Sequence, residues 1–182
     1  MHYNLRFEQW LPVPLERTFA FFADPNNLPR ITPPELDLRI ERLQVVAAES
    51  VAQESALRGV EGPSAGQSPL AGVGSVVTVS FRVPILGFRI QHVAQITGFE
   101  MNRFFRDQHS HWPFMDWDHR HEFEASTRDG VTGTIVRDDL HYGLGPGFLG
   151  AIPNALVVHR RLEKMFRFRH QALDALASAG AL

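Results

Sequence analysis

Polar and apolar positions alternate with period two along much of the chain as far as Tyr142, then change to a period near 3.6. That change predicts a run of strands closed by one long helix. From about Asn154 to Ala179 neither Pro nor Gly interrupts the run. Val158, Leu162, Met165, Phe166, Arg169, Leu173 and Leu176 recur there at three- and four-residue steps. At ~1.5 Å per residue this helix is roughly 38 Å long, enough to cross a small domain. Upstream, residues 3 to 11 alternate as a strand that Pro12 and Pro14 stop. Leu15, Phe19 and Phe22 then mark a short helix ended by Asp24-Pro25-Asn26, and a second is expected at about Asn27 to Ile31. Leu36, Leu38 and Ile40 alternate with charged residues as a further strand. Strands resume at Gly74, where Val77, Val79, Phe81 and Val83 share one face. After a turn at Pro84–Gly87 the next strand places Phe88, Ile90, His92, Ala94 and Ile96 together. Residues 103–111, 115–125 and 131–142 carry the remaining strand patterns, with Asn102 and Pro113 at turns and Asp129-Gly130 as a hairpin signal.

The expected order is therefore strand, two short helices, six strands, long helix. That makes about seven strands, mostly joined as sequential hairpins and hence antiparallel. Strands grouped together and closed by a terminal helix imply an α+β fold rather than a parallel α/β sheet. A sheet this long curls, and the long helix is the one element able to cover its apolar face.

One stretch departs from the pattern. Between Ala47 and Val73, glycine and proline recur after a weak helical signal, so residues 47–73 read as a surface insertion, mobile or lid-like, within a single domain spanning 1–182. Composition changes little in this picture: 44% hydrophobic and 21% charged residues are ordinary for a globular chain, and 182 residues suffice for a real core. A formal net charge of −2 supplies no global field for nucleic acid or anionic membrane. The absence of cysteine excludes disulfides and thiolate chemistry. With no apolar run long enough to span a bilayer and no leader pattern at Met1-His2-Tyr3-Asn4, a cytoplasmic location is expected.

The histidines carry most of the candidate chemistry. There are nine, and their placement matters more than their number. Along 115–125, Met115, Trp117, His119, His121, Phe123 and Ala125 share one strand face, opposite Asp116, Asp118, Arg120, Glu122 and Glu124. The charged side must meet solvent, so parity turns His119 and His121 inward beside Trp117 and Phe123. His92 turns inward between Ile90 and Ala94 by the same reasoning. A single buried histidine is commonly satisfied by one neighbour, but three of them beside a tryptophan point to a polar-lined cavity. Asp138 shares an otherwise apolar face with Val136, Leu140 and Tyr142, a costly position unless it is paired. An inward histidine or Arg169 could pair it, or it could orient a ligand or act as a base.

Two spacings, His109-x-His111 and His119-x-His121, each set two imidazoles on one face, as chelation of zinc or another divalent ion would need. No carboxylate shares the inward face of the second pair along its own strand, and the face carrying Asp107, His109 and His111 has no assignable orientation. No metal or other cofactor is therefore expected. Gly143–Gly150 lacks the Lys-Ser/Thr ending of a phosphate loop and contains Pro146, so it reads as a hinge. Arg160, Arg161, Lys164 and Arg167 read as a solvated helix face rather than a nucleic-acid surface.

Several of these residues form a recognisable pattern. Phe19-x-x-Phe22-x-Asp24-Pro25-x-Asn27-Leu28 stands early in the chain, and Trp112-Pro113-Phe114-x-x-Trp117-x-His119-x-His121-x-Phe123 follows in the strands. Asp138-x-x-x-Tyr142, Gly147-x-x-Gly150 and Phe166-x-x-Arg169 complete it. Together with the order of elements, these resemble the START-like (SRPBCC) helix-grip superfamily over nearly the whole chain. That group includes the birch-pollen-allergen-like, polyketide cyclase/dehydrase and lipid-transport proteins, and the nearer resemblance is to a bacterial ligand-binding branch; the insertion 47–73 departs from the pattern. The resemblance implies a curled antiparallel sheet gripping the terminal helix, with a cavity between them for a lipophilic molecule.

The expected partner is a small hydrophobic ligand such as a lipid, quinone or polyketide. The ligand-binding residues are expected to be Ile90, His92, Ile96, Trp117, His119, His121, Phe123, Asp138, Tyr142, Val158, Leu162 and Phe166. The alternative is a cyclase, dehydratase or hydrolase with His119, His121 or Asp138 as acid or base. A third class, an interaction protein using the insertion or the basic helix face, is separable by deleting residues 48–70.

Overall fold

The computed structural model describes residues 2–47, 70–82, 87–109, 114–144 and 152–182. Most of the stretch expected to be an insertion, together with His111, Trp112, Pro113, Gly147 and Gly150, lies outside the described residues.

The chain opens with β1 (His2–Leu11) and α1 (Leu15–Ala23). Pro14 fixes the entry to α1, whose first backbone bond runs from Thr18 N to Pro14 O at 3.0 Å. The second short helix is a 3-10 helix, Pro25–Ile31. Pro25 and Pro29 remove amide donors there, and the Asp24 carboxylate accepts from Asn26 N at 3.0 Å. The next strand starts later than the alternation from Leu36 implied. Pro34–Leu36 forms a 3-10 turn, and Asp37 takes a left-handed conformation (φ 41) that breaks the extended run. Then come β2 (Arg39–Gln44), β3 (Val76–Arg82), β4 (Arg89–Glu100), β5 (Phe104–His109), β6 (Phe114–Arg128), β7 (Val131–Leu144) and α2 (Ile152–Ser178).

These strands make one antiparallel seven-stranded sheet in the order β1-β7-β6-β5-β4-β3-β2. Five contacts join consecutive strands. The sixth, β1 with β7, brings the beginning of the chain back beside the last strand, with Phe7 opposite Asp138. Asp129 and Gly130 both have positive φ (50 and 78) at the β6–β7 hairpin, the geometry a two-residue turn needs to match strand twist. Gly133 is required by crowding instead: a Cβ there would lie 2.3 Å from Leu11 O and 2.7 Å from the Trp10 ring.

The sheet curls around α2, and two apolar clusters fix the helix to it. Toward the end of α2, Phe19 stands at the centre of an aromatic group with Phe99, Phe105 and Phe123, at centroid distances of 5.1 to 6.3 Å. Leu11, Ile31, Leu173 and Leu182 close that cluster. Nearer the middle of α2, Leu162 and Phe166 pack on Leu5, Leu140, Tyr142 and Trp117, with Phe7 stacked on Phe166 at 4.5 Å. The chain end is tied down by Arg17 to Leu182 O (2.6 Å) and Arg30 to Ala181 O (2.9 Å).

Candidate functional site

The sheet does not meet α2 everywhere. β1, β7 and β6 press against the helix, whereas the inner face of β3 and β4 stands off from it. Between them the described residues line a half-open hollow of about 1150 Å3. Val77, Val79 and Phe81 of β3 and Ile90, Ala94 and Ile96 of β4, with Phe88 just before that strand, form one wall. Val157, Val158, Leu162 and Met165 of α2 form the opposite wall, and Leu28, Ile31, Leu36 and Leu38 close a side. Arg160, Arg161 and Lys164 also border the hollow while remaining exposed. The solvated helix face expected from the sequence is thus in part a cationic rim. Lys164 reaches Glu35 of the second 3-10 turn at 2.9 Å, linking the helix to the opposite side.

At the inner end the hollow turns polar. His92, Asp107, Trp117, His119, His121 and Arg169 all border it. The pairing of β5 with β6 sets Asp107 directly opposite His119 and His109 opposite Trp117. Asp107 therefore supplies the inward carboxylate that β6 lacks, correcting the expectation drawn from that strand alone. His109 is buried beside it, with Nδ1 2.7 Å from Val93 O and its ring 4.3 Å from His92. The orientation of β5 is settled by its two phenylalanines. Phe105 is buried, while Phe104 lies on the outer face beneath the Arg120 guanidinium at 3.9 Å.

Behind these groups sits Asp138, 3% exposed. One of its oxygens, Oδ1, accepts from His119 Nε2 at 3.0 Å and lies 2.7 Å from His121 Nδ1 and 3.5 Å from Arg169 Nη1. The His121 contact is close but lacks hydrogen-bond alignment. On the cavity side His119 Nδ1 and His121 Nε2 stand 3.6 and 3.7 Å from Asp107 Oδ2, and Trp117 Nε1 donates to Asp107 Oδ1 at 3.1 Å. Two carboxylates thus flank two imidazoles.

Ile90, His92, Ile96, Trp117, His119, His121, Val158 and Leu162 border the hollow, as the strand and helix faces suggested. Phe123, Asp138, Tyr142 and Phe166 do not. Phe123 belongs to the aromatic cluster around Phe19, Phe166 is occupied by Phe7, and Tyr142 stacks on Tyr3 and bonds His159 at 3.1 Å. Asp138 is screened from the hollow by the two histidines. All four lie where β6, β7 and β1 contact α2 or α1, and inward parity alone cannot distinguish a packed part of the inner face from a hollow one.

No protein-family model matches the chain, and no curated protein matches it. Solved structures match over almost its whole length. A START superfamily protein from Mycobacterium smegmatis is 13% identical with a TM-score of 0.59, covering 98% of this chain and 99% of that one. Ara h 8.0201 is 16% identical with a TM-score of 0.58, covering 98% and 99%. A Nitrosomonas europaea protein, NE0264, is 12% identical with a TM-score of 0.62, covering 98% and 97%. The fold is the START-like helix grip. Among the described residues of this helix grip, no helix is long and apolar enough to cross a membrane.

The electrostatics of the helix grip's inner end follow from burial and pairing. Desolvation opposes both carboxylate charges, but His121, His119 and Arg169 outweigh it, holding Asp138 well below the usual carboxylate range. Asp107 is likewise lowered: desolvation raises it, but the neighbouring His121, His119 and His92 outweigh that. Burial also disfavours the charged form of His121, yet Asp138 and Asp107 together raise it above an ordinary imidazole. His119 goes the other way, lowered by desolvation and by the neighbouring His121. The cluster thus sets two carboxylates with lowered pKa values against Arg169 and two imidazoles shifted in opposite directions, a mutual pairing that offsets the cost of burial. His92 is driven down to about 4, first by desolvation and then by His109, and stays neutral.

Proposed function

We propose that this chain binds and carries a small hydrophobic ligand, lipid-, quinone- or polyketide-like, whose body fills the hollow and whose polar end meets the buried cluster. One observation carries the reading: an apolar hollow of about 1150 Å3, walled by β3, β4 and α2, ends on the polar groups of His92, Asp107, His119, His121 and Arg169. The volume lies slightly above the ~300–1,000 Å3 of most small-molecule sites, which suits a bulky lipophile. Apolar burial supplies affinity at ~25 cal/mol per Å2, and the polar end sets orientation.

Trp117 borders the hollow and reports on occupancy. Titration with a long-chain fatty acid, a quinone and a polycyclic aromatic, followed by tryptophan fluorescence and native mass spectrometry, should give saturable one-to-one uptake of at least one. Ala94→Trp, which fills the hollow from its β4 wall, should abolish that uptake while leaving the fold intact. No uptake across the panel by folded protein defeats the proposal, as does uptake unaffected by Ala94→Trp.

A second reading is favoured by the His119–Asp138 pair. An ionised Asp138 is an acceptor only, so neutral His119 donates Nε2–H to it and turns the Nδ1 lone pair toward the hollow. An imidazole in that state can act as a general base, as a cyclase, dehydratase or hydrolase would need. It predicts that His119→Gln abolishes turnover while ligand binding survives. Equal loss of both would assign His119 to ligand positioning.

A further inference from the structure

Asp107, His119 and His121 are brought together by strand pairing, and each offers one ligating atom within 4.8 Å of the others. The separations from Asp107 Oδ2 to His119 Nδ1 and His121 Nε2, 3.6 and 3.7 Å, are too long for hydrogen bonds. They are close to another spacing. Metal–ligand bonds of ~2.0–2.2 Å in tetrahedral geometry set neighbouring ligand atoms roughly 3.3–3.6 Å apart.

We propose that Asp107 Oδ2, His119 Nδ1 and His121 Nε2 form a binding site for a divalent transition ion, zinc by ligand chemistry, with the fourth coordination position open to the apolar hollow. Nitrogen and oxygen donors with three protein ligands are the pattern of zinc sites that keep an exchangeable position. The supporting groups are present. Asp138 contacts the far nitrogen of each imidazole, and Trp117 Nε1 holds the other oxygen of Asp107. The open side is set by the walls: all three ligating residues border the hollow, and Asp138 lies behind them. When bound, the ion offers an oxygen-bearing ligand a point of attachment. That role rests on the ligand-binding reading; the metal site itself does not.

The test is a titration of chelator-treated full-length protein with Co2+ as an optical probe, followed by displacement with Zn2+, all in the absence of lipophile. One equivalent of Co2+ with the intense visible bands of four-coordinate geometry, displaced by one equivalent of Zn2+, is expected. Asp138→Asn should weaken affinity ~10–100-fold, as loss of an outer partner does. Asp107→Asn and His121→Gln should weaken it further, and His2→Gln, which removes the exposed His2–Asp116 pair, should leave it unchanged. Should the inner variants misfold, imidazole resonances of the wild type decide the matter. Zn2+-dependent shifts at His119 and His121 support the site, and shifts confined to His2, His141 or His159 overturn it. Failure of wild-type protein to take up either ion, or uptake unaffected by Asp107→Asn, also overturns it. Metal uptake without lipophile uptake defeats only the carrier proposal, and the converse defeats only this one.

Discussion

The two arms of the sheet treat the same helix differently. On the β1–β7–β6 side, Phe7, Leu140 and Tyr142 meet Leu162 and Phe166 of α2 in a filled layer, and Phe166 and Leu140 are fully buried. On the β3–β4 side, Val79, Ile90 and Ala94 face Val158 and Met165 across open volume, and Val157 is 48% exposed. Both inner faces are apolar and both alternate correctly. What separates them is the distance to α2: curl brings one arm into contact and carries the other away. Hydrophobic residues in the first arm hold the fold together, whereas equally hydrophobic residues in the second leave surface to be covered by something else.

The sharpest way to break that contrast is to truncate one residue in each arm. Phe166→Ala should cost about 3–5 kcal/mol in chemical denaturation, because it opens a cavity in a filled layer. Ile90→Ala, which only enlarges a hollow already present, should cost about 1 kcal/mol. Equal losses would mean that the two arms are packed alike. Next in size is Asp138→Asn, which leaves Arg169 and the two imidazoles short of a buried anion. A loss of about 3 kcal/mol is expected, at the low end for broken buried pairs because Asp107 still faces His121.

A smaller effect sharpens the comparison through pH. His92 sits in the wall of the open arm with its pKa lowered to about 4 from 6.5, among His109, His119 and Asp107. Between those values the unfolded chain binds a proton that the folded protein refuses, so stability rises with pH there and is lost on acidification from 6.5 toward 4. His92→Gln should reduce the stability difference measured between pH 7 and pH 4.5; an unchanged difference would place His92 in solvent. The smallest effect belongs to the outer face, where Arg137 pairs with Glu8 and Glu124 at 2.8 and 2.7 Å. Arg137→Ala should cost less than about 1 kcal/mol, since exposed pairs are screened by water and salt.

Much of the architecture is legible in the residue pattern. The period-two runs around Val79, Ile90 and Trp117 and the 3.6 period from Val158 to Leu176 gave the strands and the long helix their places, because side-chain direction repeats with backbone geometry. Parity turned His92, His119 and His121 inward for the same reason. Prolines misled in one place: after Pro33-Pro34 the apolar spacing of Leu36 and Leu38 looked extended, yet the left-handed Asp37 made it a turn. The side taken by Asp107 is ambiguous in sequence because Phe104 and Phe105 are equally aromatic; the burial of Phe105 and the cation over Phe104 show which one faces outward.

By itself, then, the sequence determined which residues share a face and the order in which the elements follow. Both are local properties, set by bond geometry and the preference of apolar groups to leave water. Tertiary structure alone decided that Asp107 stands across from His119 and that Asp138 lies behind both imidazoles. It also decided which stretch of inner face is filled and which is hollow. Those outcomes depend on strand register and on the curl of the whole sheet against α2, which arise from the summed packing of many residues far apart in the chain.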